Sequence, residues 1–219
     1  MTTFAIIGAG PGLGLASARR FGREGFAVAL IARNREKLEA LCDELESEGI
    51  RARAYIADVQ DTASVVSALE SAAAATGPIG VLQYSPVPSK AFLRPVLETR
   101  PEDLGEAVRF SLLGFAAAVG QVREGMTELG KGTILLVNGS SAVTPNGAVT
   151  GTSVAFAAES SYGTLLHDAL EPHGIHVGQL IVPGAIGGGD PLFAPAALAD
   201  QLWTMHVRGG DFRVIVGEG

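Results

Sequence analysis

The residues in this chain best suited to binding chemistry lie in Gly8-Ala-Gly-Pro-Gly-Leu-Gly14, where every second position is glycine. Glycine lets a backbone turn sharply and come close to a ligand where any Cβ would clash. The apolar run Phe4-Ala-Ile-Ile7 before the loop reads as a buried strand, and the segment from about Leu13 to Arg23 reads as a helix. Such a helix start aims its free N–H groups and positive dipole end at the turn, which suits a pyrophosphate. The loop therefore predicts a dinucleotide site. Other reactive residue types offer less. The single cysteine, Cys42, rules out an internal disulfide and reads as a packing residue. His167, His173, His176 and His206 lack metal-ligand spacing, so no metal is expected.

The elements that must position this loop alternate along the chain. Strands are expected near 3–7, 27–31, 51–56, 79–84, 132–138, 175–182 and 212–216, with helices near 13–24, 34–48, 61–75, 101–129, 152–171 and 194–207. Asn34 is placed to cap the second helix and Gly49 to stop it, and Asp61 caps the third. Alternation of this kind implies right-handed crossovers and a parallel sheet. The long segments 84–100, 139–151 and 183–193 then fall on the carboxyl edge, where such sheets bind ligands. Gly187-Gly-Gly189 in the last of them reads as part of a short, mobile lid.

Composition narrows the function classes. The chain has 219 residues, of which 47% are hydrophobic and 18% charged, and a formal net charge of −7. Disorder is not expected from such a composition, and nucleic acid lacks the basic footprint it needs. No membrane segment or signal peptide is read, so a cytoplasmic protein is expected.

The loop spacing Gly8-x-x-x-Gly12-x-Gly14 resembles that of the short-chain dehydrogenase/reductase family, T-G-x-x-x-G-x-G, with Ile7 in place of the threonine. Asp58-Val59 resembles the pair whose aspartate meets the adenine amino group. Gly132-Thr-Ile-Leu-Leu-Val-Asn-Gly-Ser-Ser141 resembles the strand that leads to the catalytic serine, and Pro183-Gly184 the turn beside the nicotinamide. The resemblance covers nearly the whole chain. It implies a single Rossmann-type domain over 1–219, a doubly wound parallel α/β sheet of about seven strands with helices on both faces. It also implies a homodimer or homotetramer paired through helices 101–129 and 152–171.

On this resemblance Gly8, Gly10, Gly12, Leu13, Gly14, Arg33, Asn34, Asp58, Val59, Ser85, Pro183 and Gly184 are the cofactor-binding candidates. The family's NAD binders carry an acidic residue at the end of strand two. Here Ala32 stands there, followed by Arg33, which favours NADP(H) over NAD(H) because a guanidinium can hold a 2′-phosphate. The catalytic set departs from the family. Ser141 matches the serine, with Ser140 as the other register. Val154 stands thirteen residues on, where the tyrosine is expected, and Ala158 replaces the lysine. Ser111 replaces the asparagine of N-x-x-G. Tyr84, in the segment Gln83-Tyr84-Ser85-Pro86 at the end of strand four, offers a phenol at the mouth of the cleft, and Tyr162 is a remoter candidate acid. Two functions follow: an NADP(H)-dependent oxidoreductase with an unconventional proton donor, acting on a small carbonyl compound or activated alkene, or a non-catalytic NADP(H)-binding sensor or partner-binding pseudoenzyme.

Overall fold

The computed structural model describes residues 2–218. Seven strands, β1 (Thr3–Ile7), β2 (Ala27–Ala32), β3 (Ala52–Ile56), β4 (Ile79–Tyr84), β5 (Gly132–Gly139), β6 (Ile175–Val182) and β7 (Arg213–Ile215), form one sheet. Their order is β3-β2-β1-β4-β5-β6-β7, and every neighbouring pair is parallel. The order reverses between β1 and β4, so the crevice of a doubly wound sheet opens above the carboxyl ends of those two strands.

Seven α-helices cover the sheet: α1 (Leu13–Gly22), α2 (Arg35–Ser47), α3 (Thr62–Thr76), α4 (Pro101–Val108), α5 (Gly114–Glu128), α6 (Thr150–Leu170) and α7 (Pro195–Arg208). Alternate residues of each strand serve opposite cores. Ile7, Leu82, Tyr84 and Leu136 meet α3, α4, α5 and α6, whereas Ile6, Val81, Leu135 and Leu180 meet α1, α2 and α7. This explains the near-continuous apolar strands, since a parallel sheet is covered on both faces.

The expected caps form. The Asn34 side chain accepts the Lys37 N–H at 2.9 Å, and Asp61 accepts those of Ala63 and Ser64. Gly49 leaves α2 with φ +78°. Cys42 lies on the buried face of α2, and burial pushes its thiol up to about 11, which suits a packing role.

The expected single helix over 101–129 is divided. Arg109–Leu113 winds as a π-turn between α4 and α5. At its end, a Cβ on Gly114 would lie 2.5 Å from the Tyr84 hydroxyl oxygen and 2.6 Å from the Val59 carbonyl oxygen. Only glycine lets α5 come this close to β4. The last strand is shorter than the expected 212–216, because only residues 213–215 hold the β6 register.

Candidate dinucleotide cleft and active site

A cleft of about 510 Å³ opens at the switch point between β1 and β4. Its floor is the glycine loop, and each glycine there answers a different need. Gly8 has φ +88°, and a Cβ on it would sit 2.5 Å from the backbone of Pro86, so it is required by the closeness of the β1 and β4 exits. A Cβ on Gly14 would lie 3.0 Å from Ala9 Cα, which lets α1 pack onto the loop. Gly10 and Gly12 are different: no protein atom lies within 4 Å of where their Cβ atoms would be, yet both line the cleft. Protein packing does not explain them; close approach of a ligand backbone does. Gly12 caps α1 without a side-chain hydrogen bond, and the first turn carries no acid. The helix start therefore offers unspent N–H donors to an anion. These residues fit a pyrophosphate.

Of the sequence candidates, Gly8, Gly10, Gly12, Leu13, Gly14, Ser85 and Gly184 are brought together around the cleft. The adenosine-side residues lie beyond it, on the β2 and β3 exits. The main chain ties them to the loop, since Gly8 and Ala9 both donate to the carbonyl of Ile31, two residues before Arg33. Arg33 is exposed and makes no ion pair among the described residues. Asn34 spends its side-chain oxygen on the α2 cap. Asp58 accepts the Gln60 N–H at 3.0 Å, and its main chain is clasped by the Ser64 hydroxyl. The Val59 side chain is in the core, so only its backbone can meet a ligand.

Pro183 is exposed outside the cleft. The Gly184 position is filled on its other side by the Phe193 ring, 2.1 Å from a notional Cβ, so glycine there is also a packing requirement. The segment that follows is folded rather than a bare flexible lid. Gly187 donates to the Phe193 carbonyl, Gly188 to that of Ala185, and Asp190 caps the turn at Leu192.

The catalytic candidates require correction. Tyr84 is not at the mouth of the cleft. It is 1% exposed, faces the α5 core, and donates its hydroxyl to the Phe110 carbonyl at 2.7 Å within the π-turn. Burial, with Glu159 and Asp58 nearby, holds the phenol well above its ordinary pKa. Strand alternation is the reason: Gln83 and Ser85 take one face and Tyr84 the other. Tyr84→Phe should lower stability by about 1–3 kcal/mol, the cost of an unsatisfied buried carbonyl, and leave nucleotide affinity unchanged; thermal unfolding and a binding titration check both.

Ser141 does not line the cleft either. β5 ends at Gly139, and the tight turn Ser140–Ala142 carries Ser141 into the protein. At the cleft stand Val137, Asn138 and Gly139 of β5, the last with open space at its Cβ position, and Phe156 of α6. Thr152 lies one turn before Phe156, buried, with its hydroxyl unpartnered. Val154, the expected tyrosine position, is 45% exposed on another side of α6. Two residues rotate a helix position by about 200°, which is why Val154 and the cleft-lining Phe156 face different ways. Tyr162 packs edge-on against Phe115, in the core.

Sequence reasoning missed a polar chain under α6. Exposed Arg213 donates to Gln179 Oε1 at 3.0 Å and to the Ser160 hydroxyl at 2.8 Å, and Ser160 donates to the same Gln179 oxygen at 2.9 Å. Gln179 Nε2 donates to Asn138 Oδ1 at 2.8 Å, and Asn138 Nδ2 to Glu159 Oε2 at 3.1 Å. Glu159 is 1% exposed, and burial pushes its carboxyl up to about 8. The sequence offered one usable signal: an acid on α6 directly after the apolar stretch Val154–Ala158.

Among the described residues no group of His, Cys, Asp and Glu is placed to hold a metal ion, and no helix is long and apolar enough to cross a membrane. A family profile described as short chain dehydrogenase matches residues 2–189. The 2,3-dihydro-2,3-dihydroxybenzoate dehydrogenase of Bacillus subtilis is 32% identical over 142 residues, 64% of this chain and 53% of that protein. The chain spans about half, or less, of the length of the curated relatives it matches first. L-Sorbose reductase from Gluconobacter frateurii, solved with NADPH and L-sorbose, superposes with a TM-score of 0.85 at 21% identity, covering 99% of this chain and 96% of its own. A short chain oxidoreductase from Pseudomonas aeruginosa PAO1, described as containing an atypical catalytic center, superposes with a TM-score of 0.85 at 18% identity, covering 100% and 96%. These likenesses show the fold.

Proposed function

Because the chain belongs to the short chain dehydrogenase family, we propose that it is an NADP(H)-binding oxidoreductase with a non-standard active site. Its substrate in this reading is a small carbonyl compound or activated alkene. The observation that carries the reading is the pair Gly10 and Gly12, open to the cleft beneath the uncapped start of α1. The dinucleotide, when bound, supplies the hydride chemistry. The glycine loop and α1 hold its pyrophosphate, Arg33 its 2′-phosphate, and Asp58 its adenine. Ser85 and Gly184 border the reacting end.

The reacting end lacks the family's acid and cation. The tyrosine and lysine positions are Thr152 and Phe156 in this reading, and Gly139 replaces the serine. A hydroxyl of threonine is a far weaker acid than a cation-assisted phenol, and phenylalanine anchors no ribose. Substrates whose reduced forms need no strong acid, such as activated alkenes, suit the site best. The resemblance to the Pseudomonas aeruginosa oxidoreductase with an atypical center supports an altered site on this fold. A homodimer or homotetramer belongs to the same proposal, since Leu113, Val154 and Leu165 are exposed beside or on α5 and α6; light scattering on the purified chain tests it.

The second reading, a non-catalytic NADP(H) sensor, is favoured by Phe156 lining the cleft where a cation would serve catalysis. NADPH oxidation over a panel of ketones, quinones and enones separates the two. For the cofactor itself, Arg33→Asp should lower the preference for NADPH over NADH roughly 10- to 100-fold, the worth of a charged hydrogen bond. Fluorescence titration of both nucleotides reads it. Absence of measurable binding by either nucleotide would overturn both readings.

A further inference from the structure

We propose that the amide of Asn138 is the hydrogen-bond donor that holds the oxygen of an uncharged, apolar carbonyl ligand in the cleft. This deepens the oxidoreductase reading and rests on it. The argument starts from Arg213, which has donors and no acceptor. Both of its hydrogen bonds, to Gln179 Oε1 and to Ser160, therefore have one polarity. Gln179 must turn its oxygen toward Arg213 and its Nε2 toward Asn138. Asn138 must then accept with Oδ1 and present Nδ2 to Glu159. One guanidinium thus fixes the orientation of two buried amides, 0% and 3% exposed, without ambiguity between their oxygen and nitrogen atoms.

The Asn138 nitrogen carries two protons, and Glu159 takes one. The second has no acceptor among the described residues, and Asn138 lines the cleft. A buried amide proton left without a partner is costly, and a ligand oxygen satisfies it. The cleft that Asn138 lines has apolar walls in Phe156, Val182, Ile186 and Val87, and among the described residues no Lys, Arg, Asp or Glu lines it. Away from the glycine loop and the start of α1, which serve the pyrophosphate, an isolated charge gains nothing against these walls. The matching ligand has a neutral carbonyl and an apolar or aromatic body. Asn138 is then the group that touches the ligand; Gln179 and Arg213 are positioning residues.

Acetophenone labelled with 13C at the carbonyl serves as the probe, titrated into the intact protein with and without saturating NADP⁺ and observed by NMR. The expected result is a downfield shift of the bound carbonyl, lost in Asn138→Ala together with about tenfold in affinity, the worth of one hydrogen bond. Gln179→Leu should diminish the shift while NADP⁺ affinity stays unchanged, an effect that a purely structural role would not produce. Where Asn138→Ala fails to fold, Asn138→Leu with Glu159→Leu removes donor and acceptor together and is read in its place. A probe that does not bind, or a carbonyl shift identical in the wild type and the variants, overturns the inference. Failure of NADP⁺ to bind while the shift persists would instead overturn the cofactor reading and leave the Asn138 site standing.

Discussion

Glu159→Gln is expected to remove most of the loss of stability that the protein suffers between about pH 4.5 and about pH 8. In the unfolded chain this carboxyl ionises near 4.5, whereas burial beneath α6 raises it to about 8 in the folded protein. Below 4.5 both states hold the proton, and the group does not distinguish them. As pH rises, the unfolded chain releases its proton while the folded protein must keep it, so unfolding becomes progressively more favourable. Above about 8 both states are ionised, and the loss is complete. Each unit of displacement is worth about 1.4 kcal/mol, so the full effect amounts to several kcal/mol. Glutamine keeps an oxygen to accept the Asn138 N–H and cannot ionise. Melting temperatures of the two proteins should therefore coincide near pH 4.5 and diverge toward pH 8, with the variant the more stable. Parallel curves across that range would show that Glu159 is not held protonated. Asp103, held down to about 2 chiefly by Arg100, acts in the opposite sense and only in acid, where the profiles of both proteins fall together.

The second large effect concerns the register of α6. Gly139→Ser, Thr152→Tyr and Phe156→Lys combined are expected to raise NADPH-dependent reduction of a simple ketone by roughly 10²–10⁴-fold, the range of general acid–base catalysis. The side chains belong at these positions because Gly139 and Phe156 line the cleft, and Thr152 lies one helical turn from Phe156. Ala158→Lys with Val154→Tyr should give no increase, since Val154 is exposed away from the cleft. Gain of activity in the second set and not the first would restore the register counted from Ser141. Phe156→Lys introduces a charge into an apolar wall, so thermal stability of each variant accompanies the rate measurement.

The sequence by itself determined the sheet, its two faces, the caps at Asn34 and Asp61, and the glycine loop. All of these are local: they depend on apolar alternation, on side-chain hydrogen bonds within three residues, and on glycine spacing. It also shows that α6 contains no lysine. Tertiary structure decided what faces the cleft. Tyr84 and Ser85 are neighbours in sequence, yet strand alternation sends one into the core and the other to the ligand side. Ser141 and Gly139 are two residues apart, but only the observed end of β5 shows which is the last to reach the cleft. The chain from Arg213 to Glu159 joins three strands and a helix, at separations from 19 to 53 residues, and no spacing rule encodes it. Local pattern fixes which elements form. Which polar groups share a buried space depends on how those elements pack, and the identity of the active-site residues rests on that packing.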